Sequence, residues 1–503
     1  MNSKTWKHIN ALTLLTALAM PLQLAAQDSA KQNHHHRYHH YQLVDIGTFG
    51  GPNSTYLQPL PGPGGRLLNN SGTAVGSGDT STADPFCIWF NFDCYVAHGF
   101  KWHDGLNSEL GVLPGFNGLN SATGFWVSDS GLTVGVSENG LDPLTGGPAI
   151  EAVLWGKDNS LTDLGTLGGN ESSAMNNRGQ VVGGALNTIP DAYSGNFYVG
   201  GATQVHAFRW TSSRGMQDLG TLGGTDSAAF SINERGQIAG MSFTNTTVNP
   251  ATGVPTLDPF LWEHGKMLDL GTLGGTVGVA FALNNRGQVV GASNLVGDKG
   301  GHAFLWDQKG GMQDLGTLGG DTGGALSIND AGDIVGGDTP IGAAGGAFLW
   351  SHGVMTNLGT AGTAPFSQAL SINSRRQIVG NLLDNVGNEI GGFLWEDGGP
   401  MVDLSTLIPA NPGLQLNHAF YINDRGEIAA SGTLSNGAIH SLLLIPCDED
   451  HPGVEGCDYS VVDAASAAAH SAARPYIPST NQHPTRSRWA NRYHRQGLQS
   501  VGR

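Results

Sequence analysis

The residues that decide the fold are His302–Gly336, HAFLWDQKGGMQDLGTLGGDTGGALSINDAGDIVG, whose parts recur along most of the chain. The Asp-Leu-Gly part has eight copies, which begin at Asp45, Glu109, Asp163, Asp218, Asp269, Asp314, Asn357 and Asp403. An Asn-x-x-Gly part followed by an apolar run also has eight copies, which begin at Asn69, Ser128, Asn176, Asn233, Asn284, Asn329, Asn373 and Asn423. The HAFLW-like part does too, and its copies end at Trp102, Trp155, Trp210, Trp262, Trp306, Trp350, Trp395 and Leu444.

Each repeat divides into four short strands. The first two flank the Asn-x-x-Gly segment, whose asparagine and glycine favour a type I turn with positive φ at the glycine. The third strand ends in tryptophan, and a glycine-containing turn leads from it to the fourth, as in Met312–Gly316. Two hairpins in series form a four-stranded antiparallel meander, and repeats of this length with four strands are typical of propeller blades.

The two ends of the repeat region complement each other. Residues 41–47 (YQLVDIG) form a fourth-type strand with no first three strands before it, and residues 440–444 (HSLLL) form a third-type strand with no fourth after it. The sequence therefore predicts an all-β fold, a closed eight-bladed β-propeller over residues 41–446, in which the N-terminal strand completes the last blade. We expect this protein to be a monomer.

The flanking segments have other compositions. Residues 1–26 combine two lysines, an apolar run and a small-residue end, which predicts a secretory signal peptide that is removed. Residues 27–40 form a polar leader with a histidine tract, which suits a flexible spacer better than a metal site. Residues 458–503 are a basic, Ala- and Arg-rich tail without strand alternation, and we expect them to be disordered.

Four cysteines fit an exported protein, because disulfides persist in oxidising compartments. Of the three pairings that four cysteines allow, two local loops are the simplest. They are Cys87–Cys94, inside one repeat, and Cys447–Cys457, which brackets residues 447–457 after the repeats. No later segment is apolar enough to span a membrane, so we expect a secreted, periplasmic or cell-surface protein.

Charge excludes one class of partner. The chain has a net charge of −17, although its leader and tail are basic, so the repeat region is strongly acidic. An acidic body repels a phosphate backbone, and nucleic-acid binding is not expected.

The His-Ala-Phe triplets at 206–208 and 302–304, with the surrounding DLGTLGG and Asn-x-x-Gly motifs, resemble the HAF family of probable extracellular repeats in bacteria. The resemblance covers about 400 residues. It implies a secreted or cell-envelope repeat protein and brings no catalytic residues with it.

The repeated polar and aromatic residues have structural explanations. One tryptophan per blade at a fixed strand position indicates packing between blades. The histidines at the start of the HAF segments would lie on separate blades, so we expect them to form hydrogen bonds rather than one metal site. The aspartate of DLGTLGG suits capping of local backbone N–H groups. Structural calcium is the alternative for these acids, and no other cofactor is predicted.

The long insertions lie between the second and third strands of the first four repeats, at 77–97, 137–150, 185–205 and 241–257. In a meander these loops emerge on the same face as the crossovers to the next blade. Loops on a rigid scaffold commonly carry binding residues. The candidate ligand-binding residues are the insertion aromatics Phe86, Trp89, Phe90, Phe92, Tyr95, Tyr193, Phe197 and Tyr198 and the crossover acids Glu171, Asp226 and Asp321.

Three functions follow from this arrangement. The leading hypothesis is an exported, non-enzymatic scaffold that binds a protein or glycan through the insertion-rich face. The alternative is an extracellular hydrolase or lyase of polysaccharides or peptides that uses the crossover carboxylates. The predicted innermost strands, such as 228–232 (AAFSI), contain no paired carboxyls or nucleophile with a base, which argues against catalysis there. The third is a purely structural protein of the cell envelope.

Overall fold

A computed structural model of the chain describes residues 37–56, 65–85, 93–115, 119–141, 147–176, 178–193, 203–339, 346–396, 398–411 and 413–463. At 169–175 and at 339 it describes the backbone alone. The predicted signal peptide, residues 27–36 and residues 464–503 lie outside this description. Within it, no helix has the length and apolar character needed to cross a bilayer.

The prediction of an all-β chain built from four-stranded antiparallel sheets is confirmed. Two short strands come first, β1 (Arg37–His39) and β2 (Tyr41–Asp45). Three four-stranded sheets follow, made of β3 (Gly50–Thr55), β4 (Ala74–Ala83), β5 (Tyr95–His103) and β6 (Leu106–Glu109); β7 (Ala122–Val127), β8 (Thr133–Leu141), β9 (Pro148–Trp155) and β10 (Leu161–Asp163); and β11 (Gly169–Met175), β12 (Val181–Pro190), β13 (Thr203–Thr211) and β14 (Gly215–Asp218).

The middle of the chain forms one twelve-stranded sheet, in which single parallel bridges join three successive meanders. Its strands are β15 (Ser227–Ile232), β16 (Ile238–Val248), β17 (Pro255–Glu263), β18 (Lys266–Asp269), β19 (Gly274–Leu283), β20 (Val289–Leu295), β21 (Gly301–Asp307), β22 (Gly311–Gly316), β23 (Thr322–Ile328), β24 (Ile334–Thr339), β25 (Ala347–Ser351) and β26 (Val354–Gly359).

Another four-stranded sheet follows, and the last sheet is completed from the N-terminus. The first of these sheets contains β27 (Phe366–Ile372), β28 (Ile378–Leu383), β29 (Glu389–Trp395) and β30 (Val402–Asp403), which a 3-10 turn at Leu404–Thr406 follows. The last sheet contains β31 (Leu414–Ile422), β32 (Ile428–Leu434) and β33 (Ile439–Pro446). A short strand, β34 (Val461–Asp463), lies outside both sheets. β2 pairs with β33, from Tyr41 opposite Pro446 to Asp45 opposite Leu442. The N-terminal strand therefore takes the fourth place of the last sheet, as the sequence predicts.

The Asn-x-x-Gly segments form the predicted tight turns. In the fifth repeat the Gly287 N–H donates to the Asn284 carbonyl at 3.0 Å, and Gly287 has φ of +80°. A side chain is strained at this φ, which explains the glycine. The seventh repeat departs from the pattern, because Arg376 stands in the glycine's place with φ of +61°.

Apolar side chains of successive sheets pack together. Phe304 and Trp306 of β21 share a core cluster with Ala239 and Leu261 of the preceding meander. The same arrangement joins the ends of the repeat region, where Trp102 lies in a cluster with Leu443. The seven repeated tryptophans pack as expected, and all except the half-buried Trp262 are buried.

Two short strands outside the repeats correct the predicted leader and tail. β1 pairs with β34, although both segments were expected to lack strand structure. Tyr38 is fully buried and its hydroxyl donates to the Pro400 carbonyl at 2.6 Å. The predicted Cys447–Cys457 disulfide is present and lies between β33 and β34. Both strands have only three residues, which is too short for an alternating pattern in the sequence. The single buried residue Tyr38 was not enough to predict strand β1.

Candidate functional site

The strand order gives the meanders two different faces. We call the face with the second-to-third loops and the crossovers between sheets the loop face. The face with the Asn-x-x-Gly turns and the third-to-fourth turns is the turn face. Because the strands are antiparallel, these two faces lie at opposite ends of every strand.

The insertions of the loop face are partly strand, which corrects their assignment as loops. The second strands β4, β8, β12 and β16 have 9 to 11 residues, whereas β20, β24, β28 and β32 have 6 or 7. Each long strand is buried for its first five or six residues and then becomes exposed. The first four hairpins therefore project from the loop face as ribbons. Threonines in segments such as 244–248 (TNTTV) favour this extended form.

Three neighbouring ribbons carry exposed aliphatic side chains. Leu141 of β8 is 55% exposed, Ile189 of β12 is 53% exposed and Val248 of β16 is 37% exposed. Scattered apolar residues are normal on a protein surface. Here they recur at the exposed ends of three successive second strands, which makes this part of the loop face a candidate contact surface.

Most of the predicted aromatic residues fall outside the described residues. These are Phe86, Trp89, Phe90, Phe92, Phe197 and Tyr198, together with Cys87. Cys94 is disulfide-bonded. Tyr95 opens β5, where its N–H donates to Asp93 Oδ1 at 3.3 Å. Tyr193 is half-buried against a core cluster of the third, fourth and fifth repeats.

The structure distinguishes the three predicted crossover acids. Asp226 is fully buried and accepts hydrogen bonds from the Val205 N–H at 2.8 Å and the Thr225 hydroxyl at 2.6 Å. Asp226 therefore attaches the crossover before β15 to the backbone of β13, and its carboxyl group is not exposed. Asp321 is exposed just before β23. Glu171 lies within β11 opposite Gly184, so it belongs to a strand and not to a crossover.

Sequence reasoning missed a set of carboxyl pairs beneath the ribbons. Burial and the neighbouring Asp93 carboxyl raise the pKa of Asp79 to about 8. Burial raises the pKa of Glu138 to about 7, with a further contribution from Asp84. In the third repeat, burial and Asp191 raise the pKa of Asp226 to about 6. Each pair joins residues that are distant in sequence, so short motifs could not predict it. The number of acids in the insertions was the signal in the sequence that could have indicated these pairs.

The repeated His and Asp form pairs across the third and fourth strands. His206 Nδ1 lies 2.8 Å from Asp218 Oδ2, and His302 Nδ1 lies 2.8 Å from Asp314 Oδ1. Equivalent pairs join His440 to Asp45, at 2.8 Å, and His98 to Glu109. The aspartates also cap their own turns, as in the bond of 2.7 Å from the Gly316 N–H to Asp314 Oδ1. These residues therefore have structural partners in the sheet.

Two repeats replace the histidine with an acid. Glu151 then faces Asp163, and Asp258 faces Asp269, so each site holds two carboxyl groups. Burial and Asp269 raise the pKa of Asp258 to about 7. Burial likewise raises the pKa of Glu151, and Asp163 adds to the effect.

Two carboxyls at one site can share a proton or hold a cation. In the described part of the chain, no three His, Cys, Asp or Glu side chains are grouped so that they could hold a metal ion. The loop face thus combines acid pairs at the base of the ribbons with exposed aliphatic residues at the ribbon ends. Such a surface suits a partner that has both polar and apolar groups.

Comparison with known proteins gives similarity of fold without a family. No family model matches the chain, and no curated protein is similar to it. Among solved structures, it is similar to a puromycin-hydrolyzing peptidase of Mycobacterium tuberculosis, with a TM-score of 0.41 and 10% identity, over 77% of this chain and 62% of that one. The chain thus matches less than two thirds of the peptidase.

Two other solved structures are similar over most of their length. TolB from Acinetobacter baumannii has a TM-score of 0.31 and 11% identity, over 80% of this chain and 96% of that one. An ulvan lyase of polysaccharide lyase family PL25 has a TM-score of 0.32 and 10% identity, over 75% of this chain and 100% of that one. These neighbours have propeller-type folds. The comparison concerns the fold alone.

Proposed function

We propose that this protein is an exported β-propeller of eight blades, related to the HAF-type repeats, which binds a protein or glycan through its loop face. The observation that carries the proposal is the group of exposed aliphatic residues on three successive projecting ribbons, Leu141, Ile189 and Val248. Binding is proposed without turnover, because the acids at the base of the ribbons are buried and hydrogen-bonded.

Ring closure is supported by links that recur between successive repeats and again between the last and the first. The Asn233 amide donates to the Asn284 carbonyl at 3.0 Å, and the Asn423 amide donates to the Asn69 carbonyl at 2.8 Å. A second kind of link joins the Ser441 N–H to the hydroxyl of Ser54 at 2.9 Å. A closed ring of blades leaves only short, protected strand edges and gives the ribbons a rigid base.

Export is supported by the disulfide between Cys447 and Cys457, since such bonds are typical of oxidising compartments. The N-terminal signal remains a prediction from sequence.

The test is binding of the full chain to a panel of insoluble polysaccharides and peptidoglycan, measured by co-sedimentation. Replacing Leu141, Ile189 and Val248 together with serine should weaken the observed binding about tenfold or more, because burial of their apolar area in the contact stabilises the complex. The same change at Leu106, Leu268 and Val354, which are 67%, 45% and 63% exposed away from the ribbon ends, provides the matched control.

The control triple variant should bind like the parent, and both variants should melt at the parent's temperature. Equal loss in both triple variants would indicate general stickiness and would contradict a loop-face site. Absence of binding to every glycan would direct the search to a protein partner, tested by cross-linking at the cell surface.

Paired carboxyls favour an enzyme as the second candidate function. Groups such as Asp79 and Glu138, whose pKa values are about 8 and about 7, are partly protonated near neutral pH, as general acids must be. The variants Asp79→Asn and Glu138→Gln would abolish turnover of a polysaccharide or peptide substrate in that case. The binding model predicts no turnover in the parent protein.

A further inference from the structure

The turn face carries a basic pocket in a protein that is otherwise acidic. A cavity of about 800 Å³ lies between the third and fourth repeats and is walled by their Asn-x-x-Gly turns and their third-to-fourth turns. This volume is within the range of small-molecule sites. The pocket is at the opposite end of the strands from the ribbons, so it is separate from the loop face.

Four arginines line this pocket, namely Arg178, Arg209, Arg214 and Arg235. In the described part of the chain, no ion pair engages any of them. Two acids stand against them in the wall: Asp218, which pairs with His206 at 2.8 Å, and Glu263, which accepts from the neutral Gln237 amide at 2.6 Å and keeps its charge. The pocket therefore has an excess of unneutralised positive charge.

Arg209 shows how this repeat differs from the others. It replaces the leucine of the HAFLW motif, and its guanidinium lies over the Trp262 ring, 5.5 Å from the ring centre. Its Nε atom is buried without a hydrogen-bond acceptor in the described structure. Lys101 occupies the same motif position in the first repeat, but its ammonium donates to the Gly156 carbonyl at 3.0 Å and to Asn159 Oδ1 at 3.1 Å.

Electrostatics at Arg209 favours an anion. Burial lowers the pKa of its guanidinium, and the like charge of Arg214 lowers it further. An anion placed among these arginines would offset their mutual repulsion and provide the acceptor that Arg209 lacks. Guanidinium groups donate in a planar fork that matches the oxygens of phosphate, sulfate and carboxylate.

From this geometry we propose that the pocket between the third and fourth repeats binds a small ligand through an oxyanion group, a sulfate, phosphate or carboxylate. Arg209 and Arg178 hold the oxyanion, and Arg214 and Arg235 add positive charge. The side chains of Gln180 and Gln217 also line the pocket and can bond to neutral polar groups of the ligand. The proposal does not depend on the loop-face function.

The experiment is calorimetric titration of the full chain with sodium sulfate, sodium phosphate and sodium glucuronate at constant ionic strength. At least one anion should bind saturably, and the one that binds best identifies the oxyanion. Arg209→Gln and Arg178→Gln should each weaken that binding about tenfold or more, since each removes a charge-assisted hydrogen-bond donor.

The matched control is Arg286→Gln. Arg286 occupies the same turn position in the fifth repeat as Arg178 does in the third, yet it lies outside the pocket. This variant should keep the parent affinity. No saturable binding of any of the three anions would overturn the proposal, and so would equal weakening by the control. If Arg209→Gln does not fold, the surface variant Arg178→Gln decides the result.

Discussion

The asparagine that opens each first-to-second-strand turn satisfies several polar groups at once. Asn284 accepts hydrogen bonds from the Arg286 and Gln288 N–H groups, each at 3.0 Å. Its amide donates to the Gln288 side chain at 2.8 Å and to the Asn329 carbonyl of the next repeat at 3.1 Å. A residue that shapes its own turn and links two repeats explains why asparagine recurs at this position.

Replacing Asn284 with alanine should therefore destabilise the protein by about 2–4 kcal/mol, because buried N–H and C=O groups lose their partners. The measurement is the free energy of unfolding in denaturant. Asn285→Ala is the matched control, since the neighbouring Asn285 is exposed and bonds to Asp330 at 2.9 Å. A loss below about 1 kcal/mol at Asn284 would contradict the role of the link.

The acid pair of the fourth repeat gives a prediction in the opposite direction. Asp258 and Asp269 occupy the positions of the His302–Asp314 pair, and Asp258 is buried with a raised pKa of about 7. Asp258→His should restore the His–Asp pair and stabilise the protein by about 1 kcal/mol at neutral pH. The reverse change, His302→Asp, should destabilise it.

Thermal melts at pH 7 and pH 5 check this prediction. Below its pKa, Asp258 holds a proton and the repulsion between the two acids disappears, so the benefit of histidine should shrink at the lower pH. A gain that is equal at both pH values would show that packing, and not charge, is responsible.

Among the elements, the short strand β2 connects the N-terminal end of the repeat region to the last sheet. Its five residues complete the sheet of β31, β32 and β33, and Tyr41 is 2% exposed. Without β2, the edge of β33 would be open to pairing with another chain.

A chain that begins at residue 48 should therefore unfold at lower denaturant concentration, with at least about 2–3 kcal/mol lost from the Tyr41 side chain alone. It should also associate at concentrations where the parent does not. The control begins at residue 40, which removes β1 but keeps β2. Light scattering and denaturant unfolding compare the two, and equal behaviour would contradict closure by β2.

The sequence predicts elements well where the information is local. Short motifs and their spacing predict the Asn-x-x-Gly turns, the third strand with Trp306 near its end, and the complementary end strands. The ribbons and the β1–β34 pair were missed, because the extent of these strands depends on pairing with another segment of the chain and not on a local motif. The arginine pocket was missed for a related reason, although the arginine at 209 in the HAFLW motif was a visible departure.

In the whole molecule, the ionisable groups favour folding on the acidic side of neutrality. Asp79 and Glu138 have folded pKa values of about 8 and about 7, well above those of exposed acids. Hydrogen bonding to Asp218 raises the pKa of His206. In each case the folded state binds its proton more tightly than the unfolded state does.

Stability should therefore fall as the pH rises from about 5 to about 8, because a raised folded pKa gives stability that is lost as the group deprotonates. Below about pH 4 the sign reverses. Against the effect of burial, hydrogen bonds from His440 and the Gly47 N–H lower the pKa of Asp45, so its contribution is lost as the pH falls. Denaturant midpoints measured across this range at fixed salt should show a maximum near pH 5.

The double variant Asp79→Asn, Glu138→Gln should flatten the slope above that maximum, whereas Asp321→Asn, an exposed acid of the same face, should leave it unchanged. A parent protein that grows more stable from pH 5 to pH 8 would contradict the protonated state inferred for these buried acids.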